Sequence, residues 1–171
     1  NQADPGGMLG VLGNLPDQCR EAWRIGMEAG IEPPERVEQV LVTGLGGSAI
    51  GGDLLRVYAM GEAAVPVLVN RDYRLPSFVG PRTLVFAVSY SGNTEETLSA
   101  YEEARARGAS IITITTGGKL AEMAQRDGVP VIGVPCGISP RAATGFLFIP
   151  TLRVLQRLGL LPDVTGEIVE M

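Results

Sequence analysis

Five short apolar runs alternate with helix-forming segments from residue 39 onwards, and this alternation constrains the fold more than any other feature. The runs are rich in β-branched residues and cover residues 39–45, 65–69, 83–88, 110–115 and 129–134. They are continuously apolar, which is typical of strands buried on both faces of a parallel sheet. The sequence therefore predicts an α/β fold, a three-layer αβα sandwich around a five-stranded parallel sheet.

Helices are predicted between these strands and before them. The spacing of apolar side chains favours helices over residues 49–60, 95–107, 120–126 and from 139 to about 158. Residues 1–35 form a predicted N-terminal helical segment, and residues 36–162 a predicted α/β domain. Residues 163–171 resemble a strand or a linker fragment. Pro66 indicates that the second strand begins there or lies at an edge of the sheet.

Charge and composition exclude several classes of function. The 14 basic and 19 acidic residues leave a net charge of −5, which disfavours a nucleic-acid partner. We expect no signal peptide and no membrane span, because no basic leader and no apolar stretch of ~18 residues is present. Cys19 and Cys136 stand alone, which favours a reduced cytoplasmic protein, although a disulfide between them stays open. The lack of histidine excludes a Ser-His-Asp triad and a histidine-ligated metal site within the chain.

A glycine-rich turn follows the first strand and opens a helix. Residues 44–49 match G-x-G-x-x-A, in which glycines let the backbone approach a phosphate and the helix N-terminus supplies free N–H groups. A tight turn without a ligand is the alternative explanation of the pattern. A dinucleotide site would also need an acidic residue at the end of the second strand, where Asn70 stands and Asp72 comes late. The dinucleotide interpretation is weakened but stays open.

A hydroxyl-rich turn follows the third strand and is the most informative stretch. It places Ser89, Ser91 and Thr94 around Gly92, immediately before a helix. Three hydroxyl groups and the first N–H groups of a helix can surround one phosphate. The alternative is an N-cap by Thr94 or Asn93, completed by a glutamate in a capping box. Because a cap needs a single hydroxyl, three of them favour a ligand.

The two turns are expected to form one site. In a flavodoxin-like sheet of order 2-1-3-4-5, strands 1 and 3 are neighbours, and ligands bind in the crevice at their carboxyl ends. Two sets of residues then face each other across the crevice. They are Gly46, Gly47 and Ser48 on one wall, and Ser89, Ser91 and Thr94 with the intervening Tyr90 on the other.

An arginine follows the fifth strand at the same edge of the sheet. Ser139 is predicted to cap a helix, Pro140 to be its first residue, and Arg141 to lie in its first turn. A cation there opposes the helix dipole and needs an anion to offset it. Both a bound ligand and a nearby carboxylate would serve.

Three stretches resemble the bifunctional phosphoglucose/phosphomannose isomerases of the sugar isomerase (SIS) superfamily. They are Gly46–Ser48, Ser89–Thr97 and Pro140–Ala143, and Leu15–Gln18 also resembles the start of that family. The resemblance implies that Ser48, Ser89, Ser91 and Thr94 hold the phosphate of glucose 6-phosphate, fructose 6-phosphate or mannose 6-phosphate. It also implies that Arg141 stabilises an enediolate, as the catalytic residue of this chain. Proton transfer between C1 and C2 needs a base and no cofactor or metal.

The family resemblance further implies that part of the machinery lies in a second SIS domain. The ring-opening and base residues of the family belong there, and its histidine has no counterpart in this chain. We therefore expect the N-terminal half of an aldose–ketose isomerase, inactive alone, with residues 163–171 starting the linker to the second domain. The alternative is a regulatory domain that senses sugar phosphates. Glu95 and Glu96 are the nearest substitutes for a base, but we expect them to serve the helix N-terminus.

The last predicted helix suggests an association. Apolar residues surround the helix over residues 142–158, and a helix that is apolar all round is buried all round. Its own sheet can cover one side, so we expect a second domain or a second copy on the other side, with a homodimer as the result. Pro150 is expected to kink or interrupt this helix.

Overall fold

The parallel sheet has the predicted order. The computed structural model describes residues 7–31, 34 and 36–170. Its strands are β1 (Gln39–Thr43), β2 (Val67–Asn70), β3 (Thr83–Val88), β4 (Ser110–Thr115) and β5 (Val131–Gly133). All neighbours are parallel, and the order is β2-β1-β3-β4-β5, which confirms the predicted fold class. Pro66 directly precedes β2, which lies at an edge of the sheet, where a missing N–H costs least.

Helices cover both faces of this sheet. They are α1 (Met8–Gly13), α2 (Leu15–Glu28), α3 (Gly47–Ala59), α4 (Glu95–Ala106), α5 (Gly118–Asp127), α6 (Thr144–Arg157) and α7 (Thr165–Glu170). Residues 1–6, 32, 33, 35 and 171 lie outside the described residues, so the predicted ends of the N-terminal segment are not covered. The division of the chain into segments 1–35, 36–162 and 163–171 stays a prediction. Among the described helices, none combines the length and the apolar character needed to cross a bilayer.

Alternate residues along a strand are buried in two separate hydrophobic cores. Val40 and Val42 of β1 point to a core shared with α2, α3, α6 and α7, whereas Leu41 points to a core shared with α4 and α5. All three side chains are fully buried, as the period of a strand requires when helices cover both faces. The three-layer sandwich follows directly from this arrangement.

Helix α6 is buried within the chain itself, so the argument for a partner on its surface is wrong. It packs against α2 on one side and α3 on the other. Glycines allow the close approach: a Cβ on Gly26 of α2 would lie 3.2 Å from the Cα of Pro150, and one on Gly51 of α3 would lie 2.7 Å from the Leu147 carbonyl oxygen. Helix α6 also continues through Pro150 without interruption.

The C-terminal residues form a helix where a strand or linker fragment is predicted. Val164 and Ile168, from the start of α7 and its first turn, are buried in the core that α2 and α6 share. Asp163 accepts a hydrogen bond from the backbone N–H of Thr165 at 2.8 Å, which starts this helix. The segment is too short for apolar periodicity to identify it from the sequence.

Candidate functional site

The turns after β1 and β3 meet at the carboxyl edge of the sheet. The two strands are direct neighbours, with Thr43, the last residue of β1, paired to Ala87 of β3. The Oγ of Ser48 accepts a hydrogen bond from the backbone N–H of Tyr90 at 3.1 Å, and this contact is buried. The two turns that were expected to form one site therefore meet, and one hydrogen bond ties them together.

The hydroxyl groups of the β3 turn form a linked pair at the start of α4. Ser89 is fully buried, and its Oγ lies 2.9 Å from the Oγ1 of Thr94 and accepts a hydrogen bond from the N–H of Gly92 at 3.0 Å. Thr94 is the N-cap residue of α4, but its side chain makes no hydrogen bond to the helix amides. The capping alternative is therefore not observed, and no side chain among the described residues caps the positive end of α4.

Gly92 lets this turn approach the start of α5. Its φ of 71° is in the left-handed region, and a Cβ at this position would overlap the carbonyl oxygen of Gly117. The Gly92 carbonyl oxygen accepts a hydrogen bond from the N–H of Leu120 at 2.9 Å. Glycine is required here for both conformation and space, because any side chain would push α5 away from the turn.

Ser91 and Asn93 complete the turn on its exposed side. The Oγ of Ser91 accepts a hydrogen bond from the N–H of Asn93 at 3.2 Å. The Asn93 carboxamide donates to the Ser91 carbonyl oxygen at 3.1 Å and accepts from the N–H of Lys119 at 3.2 Å. The structure therefore gives Asn93 a bracing role that the sequence did not suggest, and it leaves the Ser91 hydroxyl hydrogen available to a ligand.

The β1 turn contacts the loop that carries Arg141. Gly46 is exposed with a φ of 55°, and Gly47 begins α3. A Cβ on Gly47 would lie 2.9 Å from the carbonyl carbon of Pro140 and 3.1 Å from the backbone nitrogen of Arg141. The backbone of Arg141 is thus packed against the first turn of α3, which brings three of the predicted stretches to one place.

The predicted helix start around Arg141 is wrong. Helix α6 begins at Thr144, and Ser139 closes a separate turn through its carbonyl oxygen, which accepts from the N–H of Ala142 at 2.8 Å. Arg141 is exposed in this turn, before the helix rather than in its first turn. Among the described residues its guanidinium forms no ion pair, so the carboxylate alternative is not observed there.

Tyr90 supports the Arg141 loop from below. Its ring is buried, its hydroxyl donates to the carbonyl oxygen of Pro135 at 2.9 Å, and the same oxygen accepts from the N–H of Ile138 at 3.3 Å. The hydroxyl is thus already engaged within the protein. Tyr90 links the hydroxyl-rich turn to the loop after β5.

The end of β2 does not offer the acidic group of a dinucleotide site. The Asn70 carboxamide is buried and donates to the Thr43 hydroxyl at 3.2 Å and to the Asp72 carbonyl oxygen at 2.9 Å.

The loop after β2 reaches α4, where the Tyr73 hydroxyl lies 3.4 Å from a Glu95 carboxylate oxygen. The charge of Glu96, some burial and the charge of Glu95 raise the pKa of Tyr73. The two carboxylates at the start of α4 therefore lie close to Tyr73.

Comparisons with known proteins agree with this geometry. Residues 36–130 match the SIS domain. The chain is 54% identical over 158 residues to a bifunctional phosphoglucose/phosphomannose isomerase of Caldicellulosiruptor bescii, covering 92% of this chain and 47% of that protein. A protein of the same name from Thermoplasma acidophilum is 47% identical, with 69% of this chain and 36% of that protein covered. The chain belongs to the SIS domain family.

Solved structures show the same fold. A tagatose-6-phosphate ketose/aldose isomerase from Escherichia coli superposes with a TM-score of 0.67 at 17% identity, covering 94% of this chain and 50% of that one. The chain thus spans about half of this structure and less than half of the two isomerases compared above.

Proposed function

We propose that this chain binds the phosphate group of glucose 6-phosphate, fructose 6-phosphate or mannose 6-phosphate and forms half of an aldose–ketose isomerase. The observation that carries the proposal is the linked hydroxyl pair of Ser89 and Thr94 at the uncapped start of α4. Helix N-termini attract anions, and hydroxyl groups add neutral donors. The names of the relatives as isomerases favour this function over the alternative of a regulatory sugar-phosphate sensor.

The phosphate would lie between the two turns. Gly46, Gly47 and Ser48 would supply one wall, and Ser89, Ser91 and Thr94 the other. In the unliganded chain the hydroxyls of Ser89 and Thr94 share one hydrogen bond, so at least one hydroxyl hydrogen can turn towards a phosphate oxygen. Because the hydroxyl of Tyr90 is engaged with Pro135 and Ile138, we propose that Tyr90 supports the site rather than binding the phosphate.

Arg141 would act at the other end of the sugar. Isomerisation moves a proton between C1 and C2 through an enediolate, whose negative charge a nearby guanidinium stabilises. The backbone of Arg141 lies against the first turn of α3. We propose that its guanidinium reaches a sugar whose phosphate sits at the turns. We propose that the base and the ring-opening group lie outside this chain, as they do in the resembled family.

Calorimetric titration with fructose 6-phosphate tests the phosphate site. Thr94→Val keeps the shape of the side chain and removes its hydroxyl, so it should weaken binding about tenfold to a hundredfold, since hydrogen bonds to charged groups contribute ~1.5–3 kcal/mol. Ser99→Ala, on the same helix, is the matched control and should bind as the unchanged chain does. Inorganic phosphate should compete with the sugar. Absence of competition would refute the proposed orientation.

A coupled assay tests the proposal that the base lies elsewhere. The purified chain should show no turnover of fructose 6-phosphate. Turnover that Glu95→Gln or Glu96→Gln abolishes would instead place the base at the start of α4.

We further propose a homodimer, with its contact on α3 instead of α6. Ile50, Leu54 and Val57 are 42%, 41% and 61% exposed, and their spacing places them on one stripe of α3. A single stripe can pair with its own copy across a twofold axis. Sedimentation velocity should show dimers that Leu54→Glu dissociates and that Gln125→Glu, on the exposed side of α5, leaves intact. A monomer at tens of micromolar would refute the dimer.

A cytoplasmic location is proposed as well. Cys19 is buried and Cys136 exposed, and neither forms a disulfide. Free thiols are typical of proteins kept in a reducing compartment.

A further inference from the structure

Gln18 of α2 makes two hydrogen bonds to the region around Arg141. Its Nε2 donates to the Ala142 carbonyl oxygen at 2.9 Å, and its Oε1 accepts from the N–H of Gly145 at 2.7 Å. The side chain is only 8% exposed, and both partners lie more than 120 residues away in sequence. Gln18 belongs to the Leu15–Gln18 stretch, for which the phosphate site gives no explanation.

These two hydrogen bonds replace the missing local cap of α6. The N-cap residue is Ala143, which has no polar side chain, and the Gln18 carboxamide binds the N–H of the second helical residue instead. The fit is close, because a Cβ on Gly145 would lie 2.7 Å from the Gln18 Oε1. Gln18 therefore joins the end of the turn to the first turn of α6.

The turn that Gln18 holds is the one that carries Arg141. Ala142 directly follows Arg141, and its carbonyl oxygen is fixed by Gln18. On the opposite side, the backbone of Arg141 lies against Gly47. The turn is therefore held between α2 and the first turn of α3, so a shift on the α2 side would move the guanidinium relative to the phosphate site.

We propose that Gln18 is a positioning residue, which fixes the turn so that Arg141 faces the negative charge that develops on the oxygens of the enediolate. The proposal rests on the proposed function, because it requires a sugar phosphate in the crevice. It makes a specific claim: Gln18 affects recognition of the sugar end of the ligand and leaves recognition of the phosphate unchanged, since the Ser89–Thr94 pair does not depend on α2.

Two matched ligands separate the ends of the molecule. D-Arabinonate 5-phosphate carries a carboxylate where the two oxygens of the enediolate would lie, whereas D-arabinitol 5-phosphate has the same chain length and no carboxylate. The ratio of their affinities, measured by calorimetry, reports how well Arg141 is placed. Gln18→Ala should reduce this ratio about tenfold, in line with the loss of one charge-assisted contact, and change the affinity for arabinitol 5-phosphate less than about twofold.

A second variant covers the case in which Gln18→Ala fails to fold. Gln18→Glu keeps an oxygen that accepts from the N–H of Gly145, but a carboxylate cannot donate to the Ala142 carbonyl oxygen. It should therefore preserve the start of α6 and still lower the affinity ratio. Gln125→Ala, at an exposed position of α5, is the control and should leave the ratio unchanged.

Combination with Arg141→Ala gives the decisive result. If Gln18 acts through Arg141, Gln18→Ala should have no further effect on the ratio in the Arg141→Ala background. Equal weakening of both ligands by either Gln18 variant, or a full effect without Arg141, would overturn the positioning role. Failure of the unchanged chain to bind arabinitol 5-phosphate would instead count against the proposed function itself.

Discussion

The hydroxyl-rich turn and the Arg141 loop lie at the same edge of the sheet but are stabilised in different ways. Within residues 89–94, Ser89 bonds to Thr94 and Ser91 to Asn93, so the hydroxyl groups are held by close neighbours in sequence. Backbone and carboxamide groups of the same turn also contact Ser48, Lys119 and Leu120. Within residues 135–145, the loop is held by the side chains of Tyr90 and Gln18, which are at least 45 residues away. The positions of the hydroxyl groups in the first region are therefore set by local hydrogen bonds, whereas the second region depends on side chains from distant parts of the sequence.

This difference suggests a division of labour within the site. A phosphate group is the same in every sugar phosphate, so a turn whose hydroxyl groups are set by local hydrogen bonds can bind it. Arg141, which we propose to face the reacting carbons, must be placed more accurately, and contacts from two other elements hold its loop. Substitutions in the two regions should therefore affect different properties, namely stability and the affinity for the ligand, and should do so to different extents.

The largest expected effect is from Gly92→Ala. The new Cβ would overlap the Gly117 carbonyl oxygen, and alanine is disfavoured at a φ of 71°. Overpacking and left-handed strain together should lower the free energy of unfolding by about 3 kcal/mol or more. Gly133→Ala is the matched control, because no atom lies within 4 Å of its would-be Cβ and its φ is not positive. Thermal melting should separate the two variants clearly. Similar melting curves would contradict a tight turn.

The next smaller effect concerns the affinity for inorganic phosphate and should distinguish the two regions. Ser89→Ala removes a buried hydroxyl from the phosphate turn and should weaken binding of inorganic phosphate about tenfold to a hundredfold. Arg141→Ala should change phosphate binding less than about threefold, because exposed charges interact weakly across water. Calorimetry with phosphate alone measures both. If Arg141→Ala lowered the affinity for phosphate as much as Ser89→Ala, the proposed division of labour between the two regions would be contradicted.

The smallest effect should come from Tyr90→Phe. Removing the hydroxyl leaves the Pro135 carbonyl oxygen and the Ile138 N–H without this partner, which should cost about 1–2 kcal/mol of stability. Phosphate affinity should stay the same, since the backbone N–H that meets Ser48 is retained. Tyr73→Phe, at an exposed tyrosine, is the control and should change stability by less than about 0.5 kcal/mol. Denaturant unfolding of the two variants provides the comparison. An equal loss of stability would argue against the view that the Tyr90 hydroxyl holds the loop after β5.

The same contrast explains how much the sequence predicts. The sheet order and the meeting of the turns after β1 and β3 follow from strands of continuous apolar residues and from turns whose polar groups are contiguous. Local capping rules predict that the last helix begins around Ser139. Helix α6 begins at Thr144 instead, because its cap comes from Gln18 in another helix. Sequence periodicity carries no information on such a tertiary contact.

The prediction for α6 failed for a related reason. Its all-round apolar surface indicates complete burial, and the structure confirms that Leu147 and Leu155 are buried. The pattern does not say which element covers them. Helix α2 and α3 do so within the chain, whereas the prediction assigned this role to a second domain or copy. The exposure of Ile50, Leu54 and Val57 on α3 likewise depends on the packing of the helices and does not follow from the apolar pattern.

The central claim is that one phosphate binds between the turns after β1 and β3. A titration of the ¹⁵N-labelled chain with fructose 6-phosphate, followed by amide chemical shifts, tests it most directly. The account predicts that the largest shifts occur at residues 46–48 and 89–96, and that inorganic phosphate reproduces the shifts of the second group. Saturable shifts concentrated elsewhere, or no shifts at these amides, would contradict the claim.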